Sequence, residues 1–160
     1  MIILPHVFIL RGLAGSGKST LARQIKNSLN CPVSIISTDH FFTSPDDQCH
    51  FDSSQLGMAH RQCWEQYMLL LRCGQAVIVD NTNGKVWHYN KYHGQAVASG
   101  WPVSILEIPC LDLDMLRLFH RRSLHRVPFE VMRTMYNNWE IDSRATIVLN
   151  PFSFVHKMTA

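Results

Sequence analysis

The octapeptide Gly12–Ser19, GLAGSGKS, constrains this chain more than any other stretch of it. It follows a continuous apolar run, HVFIL, and leads into TLARQI, whose apolar residues recur at helical spacing. A strand, a glycine-rich turn and a helix in that order are the setting in which G-x-x-x-x-G-K-[ST] cradles phosphate. The glycines let the backbone wrap so that successive N–H groups point inward, and the helix N-terminus adds a field that favours anions. The candidate phosphate-binding set is Gly12, Leu13, Ala14, Gly15, Ser16, Gly17, Lys18, Ser19 and Thr20. Lys18 can bridge the terminal phosphates of a nucleoside triphosphate, and the Ser19 hydroxyl can ligate magnesium.

The remainder of the chain reads as strand and helix in alternation. VSIIS, AVIVD and PVSILEI are short apolar runs suited to buried strands. Between them, Leu21, Ile25 and Leu29 mark one helix face, and Leu56, His60, Cys63, Tyr67 and Leu70 a second. Val86, Tyr89, Asn90, His93 and Val97 mark a third, which Gly100 closes. LDLDMLRLFHRR begins acidic and ends basic, the polarity that a helix dipole favours. Pro128 is expected at the first position of a last long helix with Phe129, Met132, Met135, Tyr136 and Trp139 on one face. FFTSPDDQCHFD has no period and is expected to be a loop, and TIVLNPF in the tail a short strand. Alternation of this kind implies an α/β fold, a mostly parallel sheet with helices on both faces.

At 160 residues, with 46% hydrophobic and 17% charged residues, the chain is long enough for one domain with one substantial core, and the whole of 1–160 is read as that domain. A net charge of +3 falls short of the basic signature of a dedicated duplex-binding domain, but is compatible with a strand end or a phosphorylated small molecule. The apolar N-terminus runs straight into the glycine loop and reads as a strand, not a signal peptide. No run is long enough to span a bilayer, so the expectation is an intracellular, cytoplasmic protein without membrane contact. Five scattered cysteines read as reduced thiols. Cys49–His50 and His60 with Cys63 lack a second ligand pair at zinc spacing, so no structural metal is expected.

Two acids end buried strands on the rim that carries the phosphate loop: Asp39, after VSIIS and Thr38, and Asp80, at the end of AVIVD. In open α/β sheets that rim is where ligands bind. One carboxylate could organise a magnesium shell, with Ser19 and Asp80 as the metal pair. The other, Asp39, could take the proton of an attacking hydroxyl. Arg121, Arg122 and Arg126, with His120 and His125, lie between two helices, where a short lid could bring cations to a migrating phosphoryl group.

The segments RGLAGSGKSTLARQI, STDHFF, VIVDNTN and HRRSLHRVPFEVMRTMYNNW together resemble the P-loop kinase family that includes bacteriophage polynucleotide kinase. They are also similar to the kinase-like domains of certain eukaryotic ubiquitin-ligase-binding proteins. The resemblance runs from about Val7 to Trp139 and implies a P-loop NTPase three-layer sandwich. It implies ATP with Mg2+ as the phosphate source, and a hydroxyl acceptor, in the best-understood case the 5′ end of DNA or RNA. It places Asp39 as general base, Lys18 and Ser19 at the phosphate and magnesium positions, and Arg121 or Arg122, with Arg126, on the lid. Where the family often has a second acid after the base, this chain has His40. A small-molecule kinase acting on a nucleoside or sugar, and a nucleotide-dependent binding module without acceptor chemistry, are the alternatives. N-K-x-D base-reading motifs of GTPases are absent. Phe41 and Phe42 could stack on a base or anchor the core.

Overall fold

The computed structural model describes residues 5–46, 48 and 50–149. Met1 to Leu4 of the N-terminal run, Cys49 of the Cys49–His50 pair, and the tail from Asn150 onward lie outside the described residues.

Five strands make one sheet: β1 (Val7–Arg11), β2 (Val33–Ile36), β3 (Ala76–Asp80), β4 (Val103–Glu107) and β5 (Ala145–Ile147). All neighbours pair in parallel, in the order β2-β3-β1-β4-β5. Burial along the strands follows from that order. β1 and β3 are buried at every residue, whereas the edge strands β2 and β5 carry partly or fully exposed positions. Parallel strands covered on both faces need apolar side chains pointing both ways, and for this reason VFIL and AVIV show no alternation.

The helices are α1 (Lys18–Ser28), α2 (Asp39–Phe42), α3 (Leu56–Arg72), α4 (Val86–Ala98), α5 (Leu113–Arg122) and α6 (Phe129–Asn137). Phe8, Leu10 and Ile78 face one core, shared with Leu21 and Ile25 of α1, Leu116 and Phe119 of α5 and Met132 of α6. Val7, Ile9, Val77 and Val79 face the other, shared with Cys63 and Tyr67 of α3 and Tyr89 and Tyr92 of α4. Odd and even strand positions thus feed opposite layers, giving a three-layer α/β sandwich. Among the described residues no helix is long and apolar enough to cross a membrane.

Several local expectations shift. FFTSPDDQCHFD does not begin as loop: Phe41 and Phe42 belong to the one-turn helix α2, and the loop follows it. On α3 the buried stripe is Ala59, Cys63, Tyr67 and Leu71, with Leu56 and His60 exposed. On α4, Tyr92 and Ala96 are buried where Asn90 and Val97 were expected. Both stripes keep the helical period but rotate, because an apolar count sees side-chain polarity and not the direction of the neighbouring helix. Pro128 is the N-cap of α6, one position before the first turn, and Met135 faces solvent. α5 starts at the expected acids, with Asp112 accepting from the Met115 N–H at 2.8 Å. A cap of this kind is worth about 1 kcal/mol.

Candidate active site

The glycine loop bends at one fixed position of the motif, Gly17, and at one variable position, Gly15. Gly15 and Gly17 have φ of 75° and 102°, values that L side chains rarely adopt. Gly15 has a second constraint. A Cβ there would lie 1.9 Å from Phe119 O and 3.0 Å from Ser123 N. The last turn of α5 therefore sits directly on the phosphate loop, and the segment that carries the arginines begins at that contact.

Lys18 opens α1 and turns back to donate to Leu13 O at 3.1 Å. Burial pulls its ammonium below the usual lysine range, opposed by the carboxylates of Asp80 and, after it, Asp39. Asp80 ends β3 as expected, whereas Asp39 stands three residues past the end of β2 as the first residue of α2, so two acids far apart in sequence act on one cation. Ser19 Oγ donates to Asp80 Oδ2 at 2.8 Å. A hydroxyl and a carboxylate at the head of a helix are hard oxygen donors of the type magnesium takes, so these residues fit that ion. Ser16 Oγ is buried inside the loop without a hydrogen-bond partner.

Asp39 is the first residue of α2, half exposed at the rim. Its Oδ2 lies 3.4 Å from Nε2 of His125, which comes from the loop between α5 and α6. In the sequence His125 was only one basic residue among several. The fold makes it the residue of that loop that reaches across to Asp39. Asn81 is a second residue whose role the sequence hid inside a turn. Its Oδ1 accepts from Thr38 N at 2.9 Å and Thr38 Oγ1 at 3.1 Å. It thereby ties the end of β3 to the head of α2 and holds Asp39 beside Asp80.

Arg121 and Arg122 end α5, and Arg126 lies in the loop with φ of 49°, the left-handed region that few residues other than glycine enter. All three are exposed on the segment that rises from the phosphate loop. Phe42 is 5% exposed and packs edge-on against Phe41 at 5.0 Å, so it is a core anchor, whereas Phe41 is only half buried. Lys18, Ser19, Asp80 and Asp39 are thus gathered at one point, with the arginine segment seated above the loop.

A family model described as an AAA domain matches residues 7–140. The chain belongs to this family of P-loop kinases. Human NEDD4-binding protein 2 is 32% identical over 139 residues, 82% of this chain, which spans only 7% of that relative's length. Among solved structures, the Mycobacterium tuberculosis APS kinase CysC, in complex with AMPPNP and APS, superposes with a TM-score of 0.69 at 14% identity. That match covers 99% of this P-loop kinase and 97% of CysC. The Pnkp1/Rnl/Hen1 RNA repair complex contains a chain matched with a TM-score of 0.65 at 17% identity, over 86% of this chain and 45% of that one. At such identities the two structures share the fold with this chain.

Proposed function

We propose that this P-loop kinase transfers the γ-phosphate of ATP to a hydroxyl, with the 5′-hydroxyl of a polynucleotide as acceptor. The observation that carries the reading is that Asn81, next after the Asp80 that meets Ser19 Oγ at 2.8 Å, holds the head of α2 through Thr38 N at 2.9 Å and so keeps the half-exposed Asp39 at the phosphate-loop rim. A nucleotide-binding module without acceptor chemistry needs a lysine and a metal-side acid. It does not need a second, half-exposed carboxylate at the same point. Asp39 has the place and exposure of a general base: it takes the proton as the acceptor oxygen bonds to the γ-phosphorus and the bond to the β–γ bridging oxygen breaks, releasing ADP.

Lys18 follows the charge on the terminal phosphates, and the inward N–H groups of the loop hold them. The unpartnered Ser16 hydroxyl gains an acceptor when phosphate oxygens enter. Ser19 and Asp80 would hold magnesium, which supplies neutralisation of phosphate charge. The exposed arginines of the lid segment add cations that count most as charge migrates.

The likeness to a chain of an RNA repair complex supports a polynucleotide acceptor. The likeness to APS kinase, which extends over nearly the whole of both chains, favours the second reading, a small-molecule hydroxyl acceptor. Incubation with γ-labelled ATP and a 5′-hydroxyl oligonucleotide separates them. Label at the oligonucleotide 5′ end is the expected result. Transfer to small hydroxyl compounds and not to DNA or RNA ends selects the second reading, and nucleotide binding with no transfer to any hydroxyl overturns both.

A further inference from the structure

Beyond the phosphate loop, a set of rings and one cation gathers where α3 and α4 meet the same rim. Trp87, on the first turn of α4, is 74% exposed, and its indole meets the His88 ring edge-on at 4.3 Å. An indole has a large apolar area that folding ordinarily buries. One turn on, Lys91 Nζ stands 5.2 Å from the ring centre of Trp64 on α3 and 5.2 Å from that of Tyr92. His60, on α3, is close enough to Lys91 and to His88 to interact electrostatically with both. Partial burial, with these neighbours, holds both imidazoles below the usual histidine range. They therefore stand as flat, neutral rings with one donor and one acceptor each at neutral pH.

Behind these rings α3 is packed, through buried residues, against the turn that holds the candidate base. Cys63, one turn after His60, contacts Asn81 Nδ2 at 4.0 Å, and Asn81 in turn holds Thr38 beside Asp39. The nearby charges are mostly matched within the protein. Glu140 pairs with Lys85 at 3.5 Å and Arg61 with Glu65 at 3.2 Å. Lys91 lies over two ring faces and pairs with no carboxylate among the described residues.

An exposed indole bordered by imidazoles and a cation has the chemistry of base stacking beside a phosphate backbone. A protein-docking surface would instead present a contiguous apolar patch, and here Trp87 is bordered by imidazoles and an ammonium. We propose that His60, Trp87, His88 and Lys91 form a stacking platform for single-stranded nucleic acid, supported from beneath by Trp64, which stacks on Tyr67 and carries Lys91 over its ring, and that it leads the strand beyond the acceptor nucleotide away from Asp39. The direction of the strand rests on the proposed 5′-hydroxyl acceptor; the binding itself does not.

The test is equilibrium binding of a fluorescently labelled 5′-hydroxyl oligonucleotide, followed by anisotropy without ATP, for the wild type, Trp87→Ala, Trp87→Phe and Lys91→Ala. Thermal melting checks that each variant is folded. Trp87→Ala should weaken binding about tenfold or more, with Trp87→Phe recovering part of the loss. Lys91→Ala should lower the slope of log affinity against log salt by about 0.7. Equal affinity and equal salt slope in wild type and both alanine variants overturn the platform, as does a wild type that binds no oligonucleotide. If the wild type binds with these losses but transfers no phosphate to the oligonucleotide, the platform stands and the proposed acceptor fails. If it phosphorylates the oligonucleotide while the variants bind as well as the wild type, the reverse holds.

Discussion

In the proposed function, Lys18 and Asp39 are the two residues that separate a phosphate-transferring loop from a phosphate-holding one. Lys18→Ala removes the cation that meets the terminal phosphates, and transfer should fall by about a hundredfold or more, measured as single-turnover label transfer in a variant shown to be folded. Undiminished transfer in that variant would remove Lys18 from the mechanism. Asp39→Asn keeps the size and hydrogen-bonding shape of the side chain but takes away its basicity. Chemistry should slow by about two to four powers of ten while ATP affinity changes little, because the loop and Lys18 carry that affinity. A magnesium ligand at this position would behave differently: nucleotide binding would weaken and raised magnesium would restore part of it. Titrating nucleotide affinity across a magnesium series in Asp39→Asn decides between the two. The sequence marked Asp39 by its place after a strand. It could not show that His125 lies 3.4 Å away, since that contact joins the first residue of α2 to the loop between α5 and α6.

Among elements, the α5–loop–α6 segment has the most to do. One end is seated on Gly15 through Phe119. The other ends in Trp139 and Glu140, where Glu140 N donates to Gly84 O at 2.9 Å and a Cβ on Gly84 would meet the Trp139 ring at 3.1 Å. Between these anchors run Arg121, Arg122, His125 and Arg126. A segment fixed at both ends, with its cations on the exposed stretch between, can follow charge as it moves without refolding either helix. At least one of Arg121→Ala, Arg122→Ala and Arg126→Ala should therefore lose turnover by about tenfold or more while keeping most of its ATP affinity, because its contact strengthens only as charge develops. Full activity in all three single variants would contradict a catalytic lid. The place of the basic run between two amphipathic helices was legible in the sequence. Its seat on Gly15 was not, because Gly15 is a variable position of the motif and the contact comes from Phe119, far along the chain.

At the scale of the molecule, Arg11 joins parts that the chain order keeps apart. Its side chain is fully buried at the end of β1 and pairs with the Glu107 carboxylate at the end of β4. Its Nε donates to Asn83 O at 3.0 Å, and the rings of Tyr89 and Trp139 lie 5.2 and 5.1 Å from its guanidinium carbon. Trp139 Nε1 donates to Glu107 Oε1 at 3.0 Å, closing the network. One guanidinium thus fastens the strand before the phosphate loop to the turn after β3, to β4 and to the segment after α6. Arg11→Met should destabilise the fold by about 3–5 kcal/mol, since it leaves the Glu107 carboxylate buried without its partner. Denaturant unfolding of the two proteins measures this, and Arg11→Met combined with Glu107→Leu should recover part of the loss. A single variant as stable as wild type would show that the network adds nothing to the fold.

The sequence by itself determined the fold class, the glycine loop between a strand and a helix, and the place of Asp80 at the end of a strand, because each depends on residues close together in the chain. Periodicity, glycine spacing and burial on both faces are local signals, and runs such as VFIL and AVIV read directly as strands covered on both faces, whereas the strand order came from the structure. Only the tertiary structure decided which faces of α3 and α4 turn inward, that His125 meets Asp39, that Asn81 holds α2 in place and that Arg11 is a buried clamp. The last three depend on groups 43 or more residues apart approaching within a few ångströms, and the α3–α4 faces on contacts such as Tyr67 with Tyr92, 25 residues apart. Such proximity is set by the packing of whole layers, to which a reading along the chain is blind.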